Sequence, residues 1–158
     1  MPNINPFLWF DNQAEEAAAL YTSVFPNSKV INVQRYPAGA PGPEGSVMTI
    51  EFELDGQPFT ALNGGPQQFS FNEAISFSVS CQDQDEVDTY WEKLTADGGE
   101  PGPCGWLKDR FGLSWQIVPR ALPRLLADPD QEKANRVLQA MMQMTKIEIR
   151  ELEDAARG

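Results

Sequence analysis

The chain has 158 residues and a mass of 17.6 kDa, with 41% hydrophobic and 22% charged residues, two cysteines and no histidine. That size suits one domain whose core needs neither disulfides nor a structural metal, and no apolar run approaches the roughly 18 residues of a membrane-spanning helix. A net charge of −11 repels phosphate backbones and anionic lipid, so neither nucleic acid nor a membrane is expected as a partner.

Cys81 and Cys104 are too few and too far apart for a disulfide framework or a zinc site. Free thiols, and an N-terminus (MPNINPFLWFD) without the basic and apolar regions of a secretory signal, point to the cytoplasm. The lack of histidine removes the commonest general base near neutral pH and the commonest transition-metal ligand. Any catalysis must then use carboxylates, amides, hydroxyls, a thiol or a cofactor.

In chain order, Ile4 to Phe10 reads as a strand, and Asp11 or Asn12 can cap the helix that follows. From Gln13 to Phe25 the residues Ala17, Leu20, Tyr21 and Val24 recur at helical spacing, with Glu15 and Glu16 in the first turn where the helix dipole favours acid. Pro26-Asn27 stops it. Lys29 to Tyr36 predicts a strand, and Pro37 to Gly45 a turn-rich loop. Ser46 to Leu54 alternates, with Met48, Ile50, Phe52 and Leu54 on the apolar side. Glu51 and Glu53 then sit on a solvated side, although their spacing also suits paired carboxylates. Asp55-Gly56 signals a hairpin into Gln57 to Asn63, and Gly64-Gly65-Pro66 closes it.

The second half repeats the plan. Ala74 to Cys81 is a strand with Ile75, Phe77, Val79 and Cys81 on one face and Ala74, Ser76, Ser78 and Ser80 on the other. Asp83 to Leu94 is a helix, Glu100 to Asp109 holds one or two short strands, and Leu113 to Pro119 is the last. On that last strand Ser114 and Gln116 form a polar face opposite Leu113, Trp115 and Ile117. An offset of 70 carries Ala17, Leu20, Tyr21 and Val24 onto Val87, Tyr90, Trp91 and Leu94, and Phe7 and Trp9 onto Phe77 and Val79. An offset of 56 carries Gly56, Phe59 and Thr60 onto Gly112, Trp115 and Gln116. A repeat of this length in two copies implies a paired-module domain. The fold class is therefore α+β, with two βαβββ modules at about 4–65 and 74–119 inside residues 1–120.

Residues 121–158 form a helical extension of the same domain. Leu122 to Ala127 is a short apolar element, Asp128-Pro129 reads as a cap and first-turn proline, and a helix runs to about Met144. Met141, Met142 and Met144 suit core or subunit-interface packing, with an adaptable ligand surface as the alternative. TKIEI, from Thr145, reads as a connector to a final helix over Arg150 to Arg157.

The segments LWFDNQAEEAAALYTSVFPNSK, GSVMTIEFELDGQPFTALNGGP, FNEAISFSVSCQDQDEVDTYWEKL and CGWLKDRFGLSWQIVP resemble the PhnB-like group of the vicinal oxygen chelate superfamily, which includes glyoxalase I, extradiol dioxygenases and bleomycin-resistance proteins. Members of the group often carry the label 3-demethylubiquinone-9 3-methyltransferase, but the sequence has no glycine-rich strand-to-helix turn of the kind that holds a nucleotide-like cofactor. The resemblance implies curled mixed sheets around a cleft and a homodimer. It places the superfamily's metal ligands at Pro6, Thr60, Ala74 or Ser76, and Gln116, of which Gln116 alone is a plausible ligand. No cofactor is expected on that basis, a divalent metal being the alternative.

The candidate cleft residues are Thr60, Asn63, Ser76, Ser78, Cys104, Trp106 and Gln116. Thr60 and Gln116 can orient a small ligand across the cleft or simply form satisfied polar surface. Ser76 and Ser78 leave volume for a ligand, for the C-terminal helix or for a second subunit. A reactive Cys104 needs a cation such as Lys108 or Arg110, and an unreactive thiol is the simpler reading. Trp106 can wall a pocket, whereas Trp9 and Trp115 fall on the faces assigned to helix packing. Asp109 and Arg110 either touch a substrate or shape the turn before Gly112. The expected function is small-molecule binding in the cleft without the usual metal. The alternatives are a metal-dependent enzyme of the glyoxalase or dioxygenase type, its metal held partly by substrate or by Glu51 or Glu53, and a sequestering protein of the bleomycin-resistance type.

Overall fold

The computed structural model describes residues 3–158. Its backbone contacts divide the chain into two compact units, residues 1–69 and 70–158.

The first unit follows the order β1 (Phe7–Phe10), α1 (Ala14–Val24), β2 (Lys29–Arg35), β3 (Val47–Leu54) and β4 (Gln57–Asn63). The strands form a mixed sheet ordered β1-β4-β3-β2, with β1 parallel to β4 and the other pairs antiparallel. One sheet face packs on α1. Leu8, Phe10, Ile50, Phe52, Phe59 and Ala61 meet Ala14, Ala17, Ala18, Tyr21 and Val24 in a core where Phe52 and Phe59 stack at 5.4 Å. β1 is shorter than Ile4 to Phe10 because Pro6 contributes only its carbonyl, which accepts from Thr60 N, while Ile4 is 87% exposed.

The second unit repeats the order as β5 (Phe77–Cys81), α2 (Gln84–Thr95), β6 (Glu100–Pro101), β7 (Trp106–Lys108) and β8 (Ser114–Pro119), with its sheet ordered β5-β8-β7-β6. Asp83 caps α2 by accepting from Glu86 N. β5 starts three residues later than the alternation predicts. Ala74 N donates to Asn72 Oδ1 in a turn, so Ala74, Ile75 and Ser76 lie ahead of the ladder and Ile75 is 58% exposed.

Strand pairing corrects one offset. Thr60 and Gln116 keep their equivalence, each in the strand parallel to its module's first strand. However, Ala61 pairs with Leu8 and Ile117 pairs with Val79, so the first strands are related by 71 residues and not by 70. Trp9 therefore matches Ser80 and leaves the helix-packing face. It is 37% exposed, donates from Nε1 to Gly65 O, and lies edge-on to Phe69 at 5.3 Å. A Cβ on Gly64 would lie 2.3 Å from the Trp9 ring, which explains that glycine. Trp115 is buried as expected.

Three more helices complete the second unit: α3 (Ala121–Leu126), α4 (Gln131–Met142) and α5 (Ile149–Arg157). Leu122, Val137, Met144, Ile147, Leu152 and Ala156 form a separate apolar cluster there. Asp130, not Asp128, caps α4, accepting from Glu132 N and Lys133 N. Asp128 accepts from Asp130 N and pairs with Lys133 at 3.1 Å. Of the methionines, Met144 is buried while Met142 is 53% exposed. Gln84 ties this cluster to α2: its Nε2 donates to Ile147 O and its Oε1 accepts from Ile149 N. Among the described residues no helix is long and apolar enough to cross a membrane.

Candidate functional site

The second unit's sheet has one face on α2, where Leu107, Trp115 and Ile117 are buried. Side-chain alternation puts Trp106, Lys108, Ser114, Gln116 and Ser78 on the other face. Register aligns Ser78, Gln116 and Trp106 in one row across β5, β8 and β7, and pairs Ser114 with Lys108 in the next.

The β7–β8 turn is built by Asp109. Its Oδ1 accepts from Phe111 N and Leu113 N, and its Oδ2 accepts from Trp115 Nε1 at 2.9 Å, the last two of these bonds being buried. Gly112, at φ 88, completes the turn by donating to Asp109 O. Asp109 thus shapes the hairpin. Arg110 points elsewhere, over the Phe111 ring at 4.8 Å and 3.8 Å from Asp97.

Between β6 and β7, Pro103–Gly105 forms a 3₁₀ turn in which Cys104 takes the left-handed conformation at φ 58. A non-glycine residue there costs about 1 kcal/mol or more and needs outside support. The C-terminal extension supplies it: Cys104 N donates to Met144 O and Gly105 N to Thr145 O, both at 2.8 Å.

The turn and the sheet enclose a cavity of about 470 Å³ whose lining includes Cys104, Trp106, Lys108, Ser114, Glu73 and Glu100. Lys108 Nζ meets Glu73 Oε1 at 2.7 Å. Their mutual hydrogen bond is the main reason that Lys108 is held above, and Glu73 below, the ordinary range. Ser114 is 1% exposed, and its Oγ is buried without a hydrogen-bond partner among the described residues.

The candidate residues are thus distributed unevenly. Cys104 and Trp106 share the cavity. Gln116 adjoins Trp106 by register, but its Nε2 donates to Ser76 Oγ at 3.0 Å. Ser78 is exposed beside it. Thr60 is half-buried on the first unit's sheet, in a row with Phe7 and Glu51. Asn63 is a structural cap: its Oδ1 accepts from Ala14 N at 2.8 Å, and its Nδ2 donates to Glu15 Oε1 and Val47 O. Asn63 O also accepts from the Tyr36 hydroxyl. That role falls to Asn63 and not to Asp11 or Asn12, and sequence spacing could not reveal it across 49 residues. Reading by residue type passed over Ser114, Glu73 and Glu100. The polar alternation of Ser114 with Gln116 was the available signal for the first; the two glutamates gave none.

The residues at the superfamily's ligand positions do not fit a metal. Pro6 and Ala74 offer no side-chain donor, Thr60 and Ser76 offer hydroxyls, and Gln116, whose Nε2 donates to Ser76, adds one neutral amide oxygen, a weak set for a divalent transition metal. Among the described residues no three His, Cys, Asp or Glu side chains cluster as a metal site.

Two consecutive βαβββ units with mixed four-stranded sheets define a vicinal oxygen chelate fold. The family model described as 3-demethylubiquinone-9 3-methyltransferase matches residues 2–118, and the chain belongs to that family, the PhnB-like group of the superfamily. A PhnB protein of Bacillus cereus with the same methyltransferase description is 35% identical, at a TM-score of 0.68 over 75% of this chain and 99% of that one. A Pseudomonas aeruginosa protein is 17% identical at TM-score 0.62, covering 75% of this chain and 98% of its own. The fosfomycin resistance protein FosX of Listeria monocytogenes is 18% identical at TM-score 0.55, covering 80% and 98%. No curated protein matches the chain.

Proposed function

We propose that this chain is a small-molecule-binding protein whose ligand occupies the cavity between the β7–β8 hairpin and the Cys104 turn, and that it binds without the superfamily's metal. The observation carrying this reading is the cavity of about 470 Å³, of ligand-pocket size, with an indole and a thiol in its lining and an unpaired hydroxyl in its wall. The donor set at the superfamily's ligand positions supports the metal-free part. Methyl transfer draws no support from these residues, since Gly64 and Gly65 lead from β4 into a loop and not into a helix.

A thermal-shift screen of metabolites and of nickel, iron and zinc, with and without chelator, tests this reading. A small molecule should raise the melting temperature by several degrees at about a hundred times its Kd, with the shift kept in chelator and lost in Trp106→Ala. A stoichiometric divalent metal lost on Gln116→Ala would overturn the metal-free part. Ligand recovered unchanged would mark sequestration, which the net charge of −11 favours for a cationic ligand; turnover would mark an enzyme.

The reading includes a homodimer and a cytoplasmic location. The dimer is supported by β2, every residue of which is exposed, with Val30, Ile31 and Val33 at 40–48%. The location is supported by the two free thiols.

A further inference from the structure

From the cavity's charge balance and its unpaired hydroxyl, we infer that it selects a small organic cation with an aromatic or apolar body and a hydrogen-bonding group at the far end, the cation held near Glu73, Glu100 and Trp106 and the distal group meeting Ser114 Oγ. This rests on the small-molecule reading above and names its ligand class.

Carboxylates outnumber cations in the lining. Glu73 and Glu100 line the cavity with one cation, Lys108, which Glu73 already pairs at 2.7 Å. Glu100 pairs with Lys108 across β6 and β7, so the two side chains share the cavity face and one negative charge is left over. Half-buried Trp106 adds a π surface that attracts cations. The groups are partly exposed, so charge discrimination should be modest and should weaken with salt.

At the second end a hydroxyl lacks a hydrogen-bond partner among the described residues. Buried hydroxyls nearly always have partners, and an orphan costs free energy that a ligand group can recover. Ser114 Oγ is such an orphan, in a residue that lines the cavity and on the Lys108 and Trp106 side of the sheet; its own surface is covered, so a ligand group meets it by displacing the side chains over it. Nothing in the fold depends on it: alanine at this position keeps the strand and removes only the unsatisfied atom.

The test titrates 15N-labelled protein with phenethylamine, 2-phenylethanol, 3-phenylpropionate and tyramine, and follows the Trp106 indole N–H, assigned with Trp106→Phe. Phenethylamine should bind about threefold or more tighter than the neutral and anionic probes, and Glu100→Gln should erase that margin. Tyramine should bind about tenfold tighter than phenethylamine in the native protein and about equally in Ser114→Ala, which should melt no lower than the native chain. A tyramine advantage absent from the native protein, or surviving in Ser114→Ala, would overturn the role of Ser114. Tightest binding by the anion would overturn the ligand class and leave the small-molecule reading standing. No response of Trp106 to any probe would overturn both.

Discussion

Two side chains, buried Asp109 and half-buried Asn63, carry more of the local architecture than their neighbours. Asp109 accepts three hydrogen bonds, one of them from the indole of buried Trp115. Asp109→Ala should lower unfolding free energy by about 3 kcal/mol or more, because the stranded N–H groups cannot reach water. Asp109→Asn, with one acceptor oxygen left, should cost less; urea denaturation of both variants ranks them. Asn63 works similarly at smaller scale. Asn63→Ala should cost roughly 1–2 kcal/mol through the lost cap at Ala14 and the lost donation to Val47 O. Asn63→Asp should keep the cap but set a carboxylate against Glu15 and Val47 O, so its deficit should shrink as added salt screens the repulsion from Glu15. Melting temperatures at low and high salt check the sign.

At the scale of elements, the C-terminal helices act on the cavity through the backbone. Met144 and Thr145 hold the Cys104 turn, while Gln84 fixes the start of α5 to α2. Gly105 stands where they meet, at φ +85, and a Cβ there would lie 3.0 Å from Ile117 O and from Ile147 Cγ1. Gly105→Ala should therefore cost about 1–3 kcal/mol and speed the reaction of Cys104 with a thiol reagent by loosening the turn. Calorimetry and the modification rate read the two effects. Element boundaries were legible where alternation and turn signals coincide, as at β3, the Asp55-Gly56 hairpin and β4. They were not legible at β5, where Asn72 draws Ala74 into a turn that the serine and apolar alternation does not disclose.

For the whole molecule, the two thiols should behave differently. Cys81 is fully buried, and desolvation, helped by Glu86 and Asp83, pushes its pKa up to about 12, whereas Cys104 is half-exposed in the cavity lining. One thiol should react in the native state and two in denaturant. A raised pKa stabilises the fold fully below the unfolded-state value and less above it, because only the unfolded chain then ionises. Cys81 should thus make stability fall from its ordinary value of 9.0 toward about 12. The slope should approach about 1.4 kcal/mol per pH unit. Urea denaturation of the native chain and Cys81→Ala between pH 8 and pH 10.5 isolates this, and equal slopes would refute it.

The sequence alone determined the two-module α+β plan, the helix faces and the family, because hydrophobic period, turn residues and local segments are properties of neighbouring residues. It also marked Cys104 and Trp106, whose types are unusual in their segment. Only the tertiary structure decided which polar groups are spent and which are free. The Asn63 amide oxygen is consumed by a helix N-terminus 49 residues away and the Gln116 N–H by Ser76, while Ser114 Oγ has no partner among the described residues, beside a cavity that Glu73 and Glu100 help to line. Hydrogen-bond satisfaction is settled by contacts between distant segments, and residue type and spacing do not encode it.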